Sequence, residues 1–267
     1  MRLATIVVVV VIVVGAVAIF TGRDDNTSSP TTTTTISGLP SSTIPPDPNA
    51  ASTTAAPGAI TPAVLTGPGP GKSITGDTPC PKADGSSPRT TEFAKAPPEC
   101  LTAGKKYTAT FESTKGTIVV ALDADAAPKT VNNFVVLARY HFFDGQPIFR
   151  LIKDFAGQFG DPSATPSNSA KFGYTIPDEL PAKGAYKVGS LVMANTGSPN
   201  SGGAQMFFVL GPQGVGLPPS YSLFGDTTSG LETISAINAV PSINVPGGSD
   251  GAPSEQVTFT KVTVTES

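Results

Sequence analysis

The stretch Tyr107-Thr108-Ala109-Thr110-Phe111-Glu112-Ser113-Thr114-Lys115-Gly116-Thr117-Ile118-Val119-Val120-Ala121-Leu122 decides the fold class. Tyr107, Ala109 and Phe111 fall on one face and Thr108, Thr110 and Glu112 on the other, the period of two expected of a half-buried strand. Residues 113–116 read as a turn and residues 117–122 as a second β-rich run, which together predict a hairpin. Beyond it, Pro128 precedes Val131, Phe134, Val135 and Ala138 at helical spacing, an amphipathic helix ending near Tyr140. Further strand-like runs cover residues 147–152, 188–194, 205–210 and 222–224, and a second helix is expected over residues 231–240. Val257 and Phe259 are followed by Val262 and Val264, a switch of apolar parity that a β-bulge at Thr260-Lys261 would produce. Short antiparallel strands with one early and one late helix predict a mainly β domain, a closed β-barrel capped at its ends. Closure also removes exposed strand edges.

The rest of the chain has a different character. No aromatic residue occurs between Phe20 and Phe93, and no Lys or Arg between Arg23 and Lys72. Residues 22–76, rich in Thr, Ser, Pro and Ala, lack the apolar surface needed to offset ordering entropy and read as a disordered spacer. Within it, Gly67-Pro68-Gly69-Pro70-Gly71-Lys72-Ser73 looks like a phosphate-binding loop. It is one residue short of that spacing, and its prolines offer no N–H to a phosphate. Residues 3–20 are apolar or glycine except for Thr5, and eighteen residues of helix span about 27 Å. Residues 1–21 therefore read as a membrane anchor, or else as a secretory signal cleaved near Ala16-Val17-Ala18. Either reading exports the remainder of the chain, giving a single-pass cell-membrane protein with its catalytic domain on the extracytoplasmic side, secreted if the segment is cleaved. Cys80 and Cys100, the only cysteines, read as a disulfide closing a collar within residues 77–104. A zinc site would want more Cys or His nearby, and a redox pair a C-x-x-C spacing. Residues 105–267 form the folded domain, expected to be monomeric.

A net charge of −3 leaves no electrostatic footprint for nucleic acid. No cluster of His, Cys and carboxylates has metal-ligand spacing, so neither a metal nor a cofactor is expected. His141 and Asn200-Ser201-Gly202-Gly203 suggest a serine hydrolase only weakly, since His141 stands in Tyr-His-Phe-Phe-Asp-Gly. Chemistry concentrates instead in Phe149-Arg150-Leu151-Ile152-Lys153-Asp154-Phe155-Ala156-Gly157-Gln158-Phe159-Gly160-Asp161, where one arginine stands among apolar residues with Gln158 eight positions on. A second segment runs through Met193, Ala194 and Asn195 to Gln205-Met206-Phe207-Phe208.

Together these segments resemble the cyclophilin family of peptidyl-prolyl cis-trans isomerases, whose signature runs F-H-R-x-I-x-x-F-x-x-Q-G-G-D, then S-M-A-N, then G-S-Q-F-F. The match uses Arg150, Ile152, Phe155, Gln158, Gly160 and Asp161, then Met193, Ala194 and Asn195, then Gln205 and Phe207. Val131-Asn132-Asn133-Phe134 and Phe224-Gly225 match the family's first helix and its later F-G, so the resemblance covers roughly residues 105–265. It implies an eight-stranded antiparallel barrel with two capping helices, most like exported, membrane-anchored bacterial members. It further implies that Arg150 is the catalytic group and that Phe155, Phe207 and Leu217 line a proline pocket bordered by Ala156 and Tyr221. Gln158, Asn195 and Gln205 would bind substrate backbone, with Ala194 alongside. The expected substrates are proline-containing segments of exported proteins. Departures from the pattern are Phe149 for His, Lys153-Asp154 for Pro-Gly, Ala156 for Met, Phe159 for Gly and Met206 for Phe. Gly216 and Tyr221 stand where many members have Trp and His. These departures motivate an alternative, a catalytically weak module of the same fold that binds proline-containing segments.

Overall fold

The computed structural model describes residues 60–164, 172–243 and 251–267, all within a unit spanning Ile60–Ser267. The apolar run at residues 3–20 and the spacer up to residue 59 lie outside the described residues. Among the described residues, no helix is long and apolar enough to cross a membrane.

Two short strands, β1 (Lys72–Ile74) and β2 (Thr90–Phe93), pair in parallel ahead of the hairpin β3 (Tyr107–Ser113) and β4 (Gly116–Leu122). Next come α1 (Pro128–Arg139), β5 (Gln146–Pro147), β6 (Arg150–Ile152), β7 (Ala156–Phe159), β8 (Ser190–Met193) and β9 (Met206–Val209). The chain continues through α2 (Pro212–Val215), β10 (Leu223–Ser229), α3 (Leu231–Asn238), β11 (Ser242–Ile243), β12 (Ala252–Pro253) and β13 (Thr258–Glu266). The hairpin pairs without interruption from Tyr107↔Leu122 to Ser113↔Gly116. The register of β13 on β3 slips between Phe259 and Lys261, where the apolar parity switches.

The main sheet corrects the expected architecture. It is a curled antiparallel sheet of nine strands in the order β5-β13-β3-β4-β10-β8-β9-β7-β6, not a closed eight-stranded barrel. The two edge strands, β5 and β6, are consecutive in sequence, and what was expected as one run over residues 147–152 is divided between them. The reason is a change of partner. Ile148 N donates to Val257 O on the β13 side at 2.8 Å, while Phe149 N turns to Gln158 O of β7 at 3.0 Å. Pro147, having no N–H, cannot extend the β5 ladder.

Phenylalanine fills the concave side of the sheet. Phe111 meets Phe134, Phe159, Phe208 and Phe259 at ring-centroid distances of 5.2–5.9 Å, and all five rings are buried. Each such side chain contributes roughly 1.5–3 kcal/mol through burial. Helix α1 carries Phe134 into this core. Its first turn is capped from a distance by Glu179, whose carboxylate accepts from Lys129 N, Thr130 N and Thr130 Oγ1 at 2.7–2.9 Å.

Cys80 and Cys100 form a disulfide, and its loop is tied to the domain at three points. Cys100 N donates to Asn132 Oδ1, Tyr140 Oη donates to Pro79 O, and a ring nitrogen of His141 contacts Gly85 O, all at 2.8–2.9 Å. The end of the expected spacer also joins the fold. Ala63 N donates to Pro253 O and Thr66 N to Gln256 Oε1. The glycine-proline segment runs beside β2, with Gly71 N donating to Thr91 Oγ1.

Candidate functional site

The site grows out of strand parity. Across the sheet, Arg150 of β6 pairs with Gln158 of β7, Gln158 with Phe207 of β9, Phe207 with Val192 of β8, and Val192 with Leu223 of β10. Side chains in one such row share one face of a sheet. The neighbouring row, Leu151, Gly157, Phe208 and Leu191, faces the phenylalanine core instead. One face of these strands thus packs the interior, and the other carries a separate surface.

That surface holds a second apolar cluster. Ala156, Tyr186, Val192, Phe207 and Val209 are buried there, with Phe155, Ala194, Val215, Leu217, Tyr221 and Leu223 packed against them and only partly covered. The rings of Phe207 and Tyr221 meet edge-on, centroids 5.6 Å apart at 86°. Tyr186 Oη donates to Tyr221 O at 2.7 Å and accepts from Tyr221 N at 3.2 Å, which fastens the Tyr221 backbone from beneath. Burial pushes the Tyr186 phenol above its ordinary pKa.

A polar chain borders the cluster. Arg150 Nη1 donates to Gln158 Oε1 at 3.3 Å, Gln158 Nε2 to Gln205 Oε1 at 2.9 Å, and Gln205 Nε2 to Asp161 Oδ2 at 3.3 Å. Asp161 is fully buried, and its other oxygen accepts from the backbone N–H and hydroxyl of Ser163. The half-buried guanidinium is therefore oriented through two amides from an anchored carboxylate. The turn that presents Asp161 demands glycine at 160. Its φ is +101°, and a Cβ there would lie 2.2 Å from Ala204 O.

Of the residues singled out in the sequence, Phe155, Ala156, Ala194, Phe207, Leu217 and Tyr221 come together in the apolar cluster, and Arg150, Gln158 and Gln205 in the polar chain. Asn195 adjoins Ala194, whose N–H donates to Gln205 O. The Asn195 side chain ties two loops, donating to Ser220 O at 2.8 Å and accepting from Gly197 N at 3.0 Å. Sequence reasoning missed Tyr186, Val192, Val209, Val215 and Leu223 in the cluster. For Val192 and Val209 the signal was present, since each sits at the outward parity of its strand. It also gave Asp161 no role. The hydrolase pair gains nothing: the His141 ring contacts Asp144 and Gly85 O, while the Ser201 hydroxyl faces Thr196 and Ser198. Among the described residues, no group of three or more His, Cys, Asp or Glu is placed to hold a metal.

Comparison with known proteins bears on the family and the fold. The family model described as cyclophilin type peptidyl-prolyl cis-trans isomerase/CLD matches residues 108–264. The peptidyl-prolyl cis-trans isomerase-like 1 of Gibberella zeae is 36% identical over 158 residues, 58% of this chain and 93% of that protein. The peptidyl-prolyl cis-trans isomerase-like 2 of Cryptococcus neoformans is 39% identical over 163 residues, which cover 60% of this chain but 27% of that protein. A crystal structure of a Cryptosporidium parvum cyclophilin type peptidyl-prolyl cis-trans isomerase superposes with a TM-score of 0.52 at 23% identity, covering 60% of this chain and 98% of the other. The same protein was also solved in the presence of the dipeptide ala-pro. These relatives are eukaryotic, so the expected likeness to exported, membrane-anchored bacterial members is not upheld. The expectation of a single-pass cell-membrane protein with an extracytoplasmic catalytic domain is likewise not upheld by these relatives; the apolar run on which it rested lies outside the described residues, among which no helix is long and apolar enough to cross a membrane.

Proposed function

Because the chain belongs to the cyclophilin-type peptidyl-prolyl cis-trans isomerase family, we propose that the Arg150 face accelerates rotation about X-Pro peptide bonds, with Arg150 as its electrostatic group. The observation that carries this reading is the juxtaposition of the chain Arg150–Gln158–Gln205–Asp161 with the apolar cluster around Phe207. Amide resonance sets a rotation barrier of about 18–20 kcal/mol, and uncatalysed X-Pro isomerisation takes tens to hundreds of seconds. Rotation breaks the conjugation and returns a lone pair to the proline nitrogen. A permanently charged donor beside that nitrogen stabilises the twisted state more than either planar one.

The arithmetic assigns the remaining work to the cluster. One charge-assisted hydrogen bond supplies about 1.5–3 kcal/mol, roughly 10- to 100-fold in rate. An acceleration of ~10⁵ needs about 7 kcal/mol, and the balance falls to fixing the proline ring against Phe155, Phe207 and Leu217 while Gln158, Gln205 and Asn195 hold the flanking backbone. No nucleophile takes part in such a rotation. A related fold studied with an ala-pro dipeptide supports a prolyl ligand. The substrates are flexible, proline-containing segments of other proteins.

The test is an isomerisation assay on a short Ala-Pro peptide, comparing the wild type with Arg150→Ala. A loss of about 10- to 100-fold in kcat/KM is expected. A wild type that does not accelerate the reaction removes the enzyme reading. Ala156, small and buried at the pocket, favours a second reading in which the domain holds proline segments with little turnover. Peptide binding without faster exchange between the cis and trans NMR signals would select it.

A further inference from the structure

Asp154 stands where the family pattern has glycine, and its φ is +60°, in the left-handed region that non-glycine residues adopt at a cost. Asn238, near the end of α3, meets it with both ends of its side-chain amide. Asn238 Oδ1 accepts from Asp154 N at 2.7 Å, and Asn238 Nδ2 donates to Asp154 Oδ1 at 2.8 Å. This closed pair fixes the turn between β6 and β7 at both its backbone and its side chain.

Both walls of the apolar cluster leave from that turn. On one side Asp154 is followed directly by Phe155, whose N–H donates to Ile152 O and whose carbonyl accepts from Leu210 N. On the other, Asp154 O accepts from Gln213 N at 3.0 Å and Gly214 N at 3.2 Å, the first turn of α2, which leads Val215 and Leu217 into the cluster. The fit is tight at both joints. A Cβ on Gly211 would lie 2.8 Å from Asp154 Cα, and one on Gly214 would lie 2.4 Å from Phe155 O. A shift of the Asp154 backbone therefore reaches Phe155 and Leu217 together.

We infer that Asn238 is a positioning residue for the proline pocket: by clamping Asp154 in the left-handed conformation, it sets the separation of Phe155 and Leu217 and thereby the affinity for the prolyl ring. The inference rests on the isomerase reading for its substrate, but the clamp touches neither Arg150 nor the amide chain, so its removal acts on binding rather than on the rotation step.

The experiment measures KM and kcat for a short Ala-Pro peptide with the wild type, Asn238→Ala, and the double variant Asp154→Gly/Asn238→Ala, with thermal melting of each. Asn238→Ala should raise KM about tenfold while kcat stays within about threefold, as expected for an interaction lost equally in ground and transition states. Glycine adopts a positive φ unaided, so the double variant should return KM to within about threefold of the wild type. Rescue of this kind separates positioning from general destabilisation. An unchanged KM in Asn238→Ala, or a raised KM that the double variant does not relieve, overturns the inference. If Asn238→Ala does not fold, Asp154→Ala carries the same comparison, with Asp154→Asn expected to behave as wild type because asparagine tolerates the left-handed region and keeps the Oδ1 acceptor. If the wild type shows no isomerase activity, the functional reading fails separately, and the Kd of the same peptide by NMR titration tests the clamp: a tenfold weakening is expected, and equal affinity refutes it.

Discussion

Cutting the polar chain at its midpoint, with Gln205→Leu, tests whether Arg150 is oriented from a distance. The substitution keeps the side-chain size and removes two bonds. One is the neutral 2.9 Å bond from Gln158 to Gln205, worth about 0.5–1.5 kcal/mol. The other is the bond to the Asp161 carboxylate, whose 3.3 Å length places it near the lower end of the roughly 1.5–3 kcal/mol range for charged partners. Asp161 keeps its contacts to Ser163, and water reaches the half-buried Gln158 end, so the net effect on the transition state is about 1–2.5 kcal/mol. That corresponds to a fall in kcat/KM of roughly 5- to 70-fold. The assay is X-Pro isomerisation with the wild type, Arg150→Ala, Gln205→Leu and the double variant. If Gln205 orients Arg150 in addition to holding substrate backbone, the loss in the double variant should fall short of the product of the two single losses by at least about threefold, because members of one network are not additive. A Gln205→Leu enzyme within twofold of the wild type, or fully multiplicative losses in the double variant, would refute the chain as an orienting device.

Two further outcomes concern stability. Replacing Cys80 and Cys100 by serine opens a loop with a sequence separation of 20, which should lower the free energy of unfolding by about 3 kcal/mol in urea titrations while kcat/KM stays within about twofold. Glu266 is held below its ordinary pKa by the hydrogen bond and charge of Arg139, which sits 2.9 Å away and is itself almost fully buried. With the folded pKa depressed, this stabilisation is present above the ordinary carboxylate range and is lost as pH falls through the lower folded value. Glu266→Gln should therefore melt lower than the wild type at neutral pH and converge with it in acid. Parallel melting curves across that window would exclude the pair as a source of acid sensitivity.

Much of the fold was legible because its signals are local. The alternation from Tyr107 to Leu122, the helical spacing after Pro128 and the parity switch before Val262 each report a contact with neighbours close in sequence or with a continuous core. What was not legible depends on distant partners. The closed barrel was expected from strand count, whereas the break between β5 and β6 arises where the chain leaves Val257 for Gln158, a choice that residues 147–152 do not encode alone. Strand β7 was missed because Ala156-Gly157-Gln158-Phe159 has little β propensity of its own. Its place is set by partners on both sides, β6 and β9. The Asn238 clamp was invisible for the same reason, being 84 residues from the turn it holds.

Parity also sorts the departures from the family pattern. Phe159 and Met206 pair with each other across β7 and β9, and both are fully buried on the core face. Phe159 packs against Phe259 at 4.6 Å and is stacked on Phe208 at 5.9 Å. The large residue at a glycine position and the loss of a neighbouring phenylalanine are thus adjustments within one interior layer, which close packing requires to be made together. Gln158 and Phe207, their immediate neighbours in sequence, face the other way and keep the family's identities. Ala156 and Tyr221 lie in the outward cluster and Asp154 in the turn that leads into it, so these are departures that bear on the site. In the proposed site Ala156 would enlarge the space beside a prolyl ring and Tyr221 would border it, while Asp154 is the residue that Asn238 holds through two hydrogen bonds. Differences in proline affinity between this chain and its relatives should therefore trace to residues 154, 156 and 221, and exchanging residues 159 and 206 together should alter stability while leaving substrate binding in place.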